Sequence, residues 1–347
     1  MVSSHKDHKI RVFDVSEGRC IARMEGHPRT PFCIKVHPQR PNVLASACYD
    51  GCVKVWVWEG GEQNTEDRGE MVFRNPTFEQ RVEGGAVSSI NFVAGATIDD
   101  DAVIITCSGQ VLWWRYGEPG AQAQPVNYSN REELANQKVA LARIVKVKDR
   151  SLLLVAEWNH FQSKPPKADL TAYVEDGSGA FVTTEIKFEN VVMFWEAGVA
   201  ISRSGGLVAF CQQNPEEPHP ATYLVVVNLD VDDGRPFEVL HRKRHELLPG
   251  QQATSLDFSP CGSYLLLGFS YTQEDNTDST QYPVAHVYRT IDCQQLLVHR
   301  SSNQDDNCSN GARFLVGVKT PAFVYGTVKG RVVLVGETGP EDASTYS

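Results

Sequence analysis

No two of the nine cysteines in this 347-residue chain stand at CxxC spacing, and their odd number would leave one thiol unpaired in any full disulfide framework. A reducing compartment is the simpler setting. Long apolar runs are missing: none approaches the roughly 18 residues a membrane helix requires, and the opening MVSSHKDHKIRVFDV has no basic segment followed by an apolar stretch, so neither a span nor a leader is expected. Long amphipathic helical patterns are missing too. Only NREELANQ, residues 130–137, has helical composition, and a turn or two of helix is expected there. Positive charge is short, with a net charge of -10, which repels phosphate backbones and anionic lipid, so neither nucleic acid nor membrane insertion is expected. The signatures GxxxxGKS/T, GxSxG and HExxH are all absent.

What is present is a chain of 41% hydrophobic and 22% charged residues, ordinary globular usage that argues against wholesale disorder. Short β-branched and aromatic runs alternate with Gly, Asp, Asn and Pro, the punctuation of strands and turns. The best-formed unit runs from Gly26-His27 through PFCIKVHP and VLASACYDG to CVKVWVW. Pro38 ends its first strand, and Asp50-Gly51 supplies a positive-φ turn between the next two. Ahead of it, SSHKDHKIRVFDVSEGRCIARM reads as the back half of another unit. Weaker copies follow in AVSSINF with AVIITCSG and QVLWWRYG, VALARIVKV with SLLLVAEW, AGVAISRSGG with LVAFCQQN and TYLVVVNLD, ATSLDFSPCG with SYLLLGFSY and VAHVYRT, and ARFLVGVKT with AFVYGTVKG and RVVLVGE. GGEQNTEDRGE, NHFQSKPPKADL and TQEDNTDSTQYP break the rhythm as polar loops, and GPEDASTYS is expected to be a disordered tail, residues 339–347.

The unit around residues 26–57 resembles a WD repeat, and repeats of this period imply an all-β fold: a WD-repeat β-propeller of roughly seven blades, the first incomplete, as a single domain over residues 1–338. The known pattern of such repeats implies a hydrogen-bonded network of His27, Asp50 and Trp56, with Ser46 as a fourth member. Longer phrases, SSHKDHKIRVFDVSEGRC, MEGHPRTPFCIKVHP, LASACYDGCVKVWVWEGG and the late ARFLVGVKTPAFVYGTVKGRVVLV, are similar to the WD-repeat domain of the Ambra family, autophagy regulators and substrate receptors of cullin-RING ubiquitin ligases. GHPRTPFC is the most specific of them. That resemblance implies a non-catalytic scaffold, not an enzyme, which binds proteins: a ligase adaptor on one side and autophagy or ubiquitination substrates on the other. It implies a cytoplasmic location, with the nucleus and autophagic membranes reached through partners. The family's adaptor-docking segment precedes its first blade, and this chain is expected to start after it, inside a blade. The family's long insertion is replaced by the short loop at Pro165 and Pro166, and WVWE and WWRY lack the Trp-Asp-x-Arg ending of many adaptor binders.

Other chemistry was weighed against this reading. His27, Cys33, His37, Cys48 and Cys52 are zinc-ligand types, but their spacing is irregular, His27 has a structural task, and Cys33 and Cys48 fall on expected strands, so no metal and no cofactor is expected. The basic run HRKRH, residues 241–245, suits a solvated strand edge better than a phosphate site. Asp232-Asp233 and Asp305-Asp306 lie in turn-rich segments that do not raise a carboxyl pKa, and EDNTD and QDDN lack ordered calcium-ligand spacing. The partner-binding candidates are Arg29, Trp58, Trp113, Trp114 and Arg115, aromatic and guanidinium side chains of the kind that anchor interfaces. Two other classes stand beside the scaffold: a propeller hydrolase with a channel active site, and a purely structural WD-repeat subunit of another assembly.

Overall fold

The computed structural model describes residues 1–14, 17–58, 64–65, 70–83, 85–129, 139–160, 166–214, 221–230, 237–245, 247, 251–271, 283–301, 311–316, 321–327 and 331–336. Among these the regular structure is β-strand apart from one short 3-10 turn, Trp195–Gly198. The fold is all-β, and its sheets are built from antiparallel meanders, three of the six sheets having four strands, as in a WD-repeat propeller. The expected helix at 130–137, the loop at 272–282, the Asp232-Asp233 and Asp305-Asp306 pairs and the tail all lie outside the described residues. The chain divides into two compact units: residues 1–146, 150–158 and 170–187, and residues 147–149, 159–169 and 188–347.

In the first unit, Val2–Ser4, Ile10–Asp14 and Arg19–Met24 form a meander that Met71–Phe73 joins in parallel, with Asn64–Thr65 paired outside it. The segment read as the loop GGEQNTEDRGE thus holds a two-residue strand, because Met71–Phe73, once paired with Arg19–Met24, leaves its other edge open to the residues just before it. The next sheet is the best-formed unit: Pro31–Val36, Val43–Cys48, Cys52–Val57 and Phe78–Arg81. Val87–Val93, Ala102–Cys107, Gln110–Trp114 and Gln124–Pro125 follow in the same order.

Side chains alternate across a strand, so a sheet covered on both faces needs apolar residues at consecutive positions. VLASAC (residues 43–48) and AVIITC (residues 102–107) meet that need and are buried at all their positions. Leu44 and Trp56 pack toward Ile10, Ala22 and Met24. Val43, Ala45 and Val55 pack the other way, against Val87, Ile90, Ile105 and Trp114.

The second unit repeats the plan. Val199–Ile201, Leu207–Asn214, Ala221–Asn228 and Val239–His245 form one meander, Gln251–Phe258, Tyr264–Tyr271, Pro283–Arg289 and Gln295–Arg300 the next, and Arg313–Phe314, Phe323–Gly326 and Val332–Val335 the last. Cys211, Leu224 and Val226 meet Leu256, Leu265 and Leu267 in one core layer, and Leu266 and Ala285 meet Ala312, Phe314 and Tyr325 in the next. Outer strands carry the exposed apolar residues Leu240, Leu296, Leu297, Val332 and Leu334.

Candidate functional site

The tight turn between Val43–Cys48 and Cys52–Val57 organises the richest polar cluster. Gly51 sits there at φ +84°, and a Cβ added to it would lie 2.6 Å from the Val82 carbonyl oxygen. Only glycine fits both the backbone angle and the approach of the neighbouring chain, whose Val82 amide donates to the Gly51 carbonyl at 2.9 Å. His27 enters from the segment before Pro31–Val36 and is buried. Its Nε2 lies 2.7 Å from Ser46 Oγ, and the Trp56 Nε1–H donates to the same oxygen at 2.9 Å. Ser46 is therefore the centre of the network, joining residues on three different segments.

Asp50 enters through a relay. The Cys48 thiol lies 3.3 Å from His27 Nδ1 and donates to Asp50 Oδ1 at 2.6 Å, while the Cys52 amide donates to that same oxygen at 3.2 Å. Burial opposes ionisation of Asp50, but these two hydrogen bonds outweigh it and hold its carboxyl below the ordinary range. Cys52 donates to Glu79 Oε1 at 3.3 Å, and Lys54 Nζ holds the other Glu79 oxygen at 2.8 Å.

The partner-binding candidates separate by burial. Arg29 and Arg115 are exposed, and Trp58 and Trp113 are half-buried against apolar clusters. Trp114 is a correction: at 3% exposure, with its Nε1–H donated to the Ala121 carbonyl, it is core and offers nothing to a partner. Its place follows from strand alternation, which sends Trp113 and Trp114 to opposite faces. Sequence reading passed over a more prominent feature. Phe32 is 54% exposed, and its ring centroid lies 4.0 Å from that of Tyr49. Phe32 stands three residues beyond Arg29, and Tyr49 follows the strand Val43–Cys48 at the same end of that sheet. PFCIKV carries apolar residues on both faces, so periodicity alone does not reveal that Phe32 faces outward.

Two further polar clusters were also missed. In the first unit Asp101 is fully buried and accepts from the Gly95 amide (2.7 Å), Tyr116 hydroxyl (2.8 Å) and Arg40 Nη1 (2.6 Å), with His37 Nε2 at 3.1 Å. His37 Nδ1 accepts from the amides of Gln39 and Arg40, so its hydrogen rides on Nε2 toward Asp101. In the second unit the run 241–245 divides: residues 242–244 are exposed on an outer strand, while His245 turns inward. Tyr288 hydroxyl lies 2.7 Å from His245 Nδ1 and 3.1 Å from His286 Nδ1, and the Phe269 ring stacks on His245 at 5.1 Å.

Burial, then the neighbouring His245 and Arg300, push the His286 imidazole down to about 4 from an ordinary 6.5. The fold favours the neutral ring, so this contribution to stability is complete above pH 6.5 and is lost as pH falls from 6.5 through about 4. The melting temperature of the chain is expected to drop across that window. His286→Phe, which fills the same space without titrating and leaves Tyr288 its contact with His245, should flatten the drop; an unchanged profile would show that His286 does not set it.

A small, partly open pocket in the second unit is lined by Val192, Phe194, Ala197, Gly198, Cys211 and Leu267 among others.

Comparison with known proteins places the hairpin cluster in a recognised repeat. The family described as WD domain, G-beta repeat matches residues 18–57, which include His27, Ser46, Asp50 and Trp56. The chain is 41% identical over 64 residues to two proteins of Danio rerio, activating molecule in BECN1-regulated autophagy protein 1A and protein 1B, an overlap of 18% of this chain and 5% of each relative. It is also 34% identical over 77 residues to mitochondrial division protein 1 of Aspergillus terreus, 20% of this chain and 11% of that protein. The chain thus matches only a small part of the length of these curated relatives.

Proposed function

We propose that this WD-repeat chain works as a protein-interaction scaffold that recruits substrates to a cullin-RING ubiquitin ligase in autophagy, acting in the cytoplasm and reaching the nucleus or autophagic membranes through its partners. The observation that carries the reading is the exposed ring of Phe32 against half-buried Tyr49, close in the chain to the exposed Arg29, at the end of a sheet whose two central strands are buried. Aromatic rings and arginine dominate binding hot spots because they bring large contact area at low entropic cost. The His27–Ser46–Trp56 network fixes the backbone beneath them, so the surface is pre-organised. Similarity to two proteins named for autophagy supports the setting. The mechanism is positional: a tethered substrate gains effective concentration near the charged enzyme, with no barrier lowered by the scaffold itself.

Affinity capture with quantitative mass spectrometry tests this, comparing the parent chain with a Phe32→Ala, Tyr49→Ala double variant. Loss of two such anchors is expected to weaken partner recovery about tenfold or more, and the single variant Phe32→Ala, whose ring is outside the core, should weaken it with the melting temperature unchanged. A ligase adaptor among the proteins recovered supports the ligase assignment. Equal recovery by parent and variant removes the ring pair as the binding surface, and an adaptor that shows no heat of binding to the chain in calorimetry removes the ligase role.

A further inference from the structure

The hairpin end that carries the Ser46 network also gathers a set of soft metal ligands. A ring nitrogen of His27 and the sulfurs of Cys48 and Cys52 lie within 4.8 Å of one another, and all three residues are buried. The spacing C-x-x-x-C looks wrong for zinc on paper, yet the hairpin makes it right. Ala47 pairs with Val53 across the two strands, so Cys48 and Cys52 are the next pair toward the turn, and directly opposed residues put their side chains on one face. Of the five residues weighed from sequence, Cys33 and His37 fall elsewhere: Cys33 donates to the Ser88 carbonyl, and His37 faces Asp101.

The second coordination layer is in place as well. A zinc-bound imidazole normally gives its other N–H to a hydrogen-bond acceptor that fixes the ring. Here His27 Nε2 lies 2.7 Å from Ser46 Oγ, which leaves Nδ1 facing the sulfur of Cys48 at 3.3 Å. With Nε2 donating, Ser46 Oγ accepts from both His27 and Trp56, which matches its two lone pairs. Around a zinc ion with Zn–S near 2.3 Å and Zn–N near 2.0 Å, ligand atoms stand roughly 3.5 Å apart, close to the His27–Cys48 separation. Asp50 Oδ1 lies 2.6 Å from Cys48 Sγ, closer than two ligands of one zinc ion stand, so it reaches a fourth position only by drawing back from the sulfur as the thiol proton leaves.

We propose that His27, Cys48 and Cys52 bind one zinc ion, with Asp50 closing the fourth position, so that the repeat's hydrogen-bond network doubles as a structural metal centre. Binding replaces two S–H bonds with two Zn–S bonds and releases two protons to solvent; no electrons move. The carboxylates of Asp50 and Glu79 already accept from these thiols, which gives the departing protons their first acceptors. Three buried protein ligands and a fourth from the same hairpin fill the four positions of a structural zinc rather than the three of a catalytic one.

The test uses the full 347-residue chain, purified with a reductant and without chelator. Elemental analysis after dialysis should find about one zinc per chain. Replacing zinc with cobalt(II) should give thiolate-to-cobalt charge-transfer bands and the intense visible bands of a tetrahedral site. Cys48→Ser and Cys52→Ser should each abolish both, whereas Cys33→Ser, a buried thiol of the same sheet outside the cluster, should keep them. Added zinc should raise the melting temperature of the chelated parent and not of the two cluster variants. If those variants fail to fold, the cobalt spectrum of the parent decides, since the charge-transfer intensity counts thiolate ligands. A folded parent that takes up no cobalt, zinc retained by Cys52→Ser, or a Cys48–Cys52 disulfide in place of metal would each overturn the proposal.

Discussion

Asp101→Ala should cost the first unit about 3–5 kcal/mol, the usual penalty for removing one partner of a buried ion pair. The carboxylate has no exposed surface, and Arg40, whose side chain is 22% exposed, places Nη1 within 2.8 Å of both carboxylate oxygens, with His37 Nε2 3.1 Å away. Without Asp101 the guanidinium stays mostly buried with its nearest anion gone. The Tyr116 hydroxyl, the Gly95 amide and the His37 Nε2–H lose their acceptor at the same time. Tyr116 is a useful reporter, because burial first and then its bond to Asp101 hold its hydroxyl well above the ordinary range. Asp101→Asn keeps an acceptor oxygen and the side-chain shape, so its cost should fall between the parent and the alanine variant. Urea unfolding followed by tryptophan fluorescence measures this, Trp114 lying in the same core as Tyr116. Adding Arg40→Met to Asp101→Ala should recover part of the loss, since the stranded charge goes too. An alanine variant within about 1 kcal/mol of the parent would show that this centre contributes only what an exposed ion pair does.

The strand plan was legible because its signal is redundant. Every repeated phrase read from the sequence returns as a described strand or pair of strands, and the Asp50-Gly51 turn, the Pro38 stop and the twice-buried runs at 43–48 and 102–107 each follow from local rules. The polar centres were not legible, for a common reason. Asp101 ends the run Asp99-Asp100-Asp101, whose composition says solvated turn, and only the fold turns the third carboxylate inward while the first two stay outside. His245 ends a basic run whose residues 242–244 are exposed, and the composition of the run gives no sign that its last residue turns inward. Cys48 is expected on a strand, which speaks against a ligand role on sequence alone, but pairing across the hairpin is what brings its sulfur near that of Cys52. Strand periodicity predicts which face a residue takes. It does not predict which residue of a neighbouring segment meets it there.

Ser46→Ala should destabilise the chain by about 2–4 kcal/mol, more than Asp50→Ala, which should cost about 1–2 kcal/mol. Chain position alone suggests the opposite order, since Asp50 occupies the turn and carries the charge. The structure gives the serine the larger share of buried bonds. Ser46 is 0% exposed, and its hydroxyl is the partner of both His27 Nε2 and the Trp56 indole N–H. Alanine leaves those two groups facing a methyl in a space that water does not enter, and each unsatisfied buried group costs about 1–3 kcal/mol. Asp50 is half-buried, so water can replace part of what its carboxylate does for the Cys52 amide and the Cys48 thiol. Ser46→Thr should fail as well, because the added methyl must enter a strand packed on both faces by the adjoining sheets. The pair Ser46→Ala with Trp56→Phe separates lost hydrogen bonds from lost packing. Removing the indole N–H together with its acceptor should make the double variant less unstable than the sum of the two single changes by about 1 kcal/mol. Thermal melts of the four proteins, at one pH and with reductant present, measure that difference. Strict additivity would mean that the indole and the serine do not share a bond in solution, and an Asp50→Ala variant that melts below Ser46→Ala would move the centre of the network from the serine to the turn.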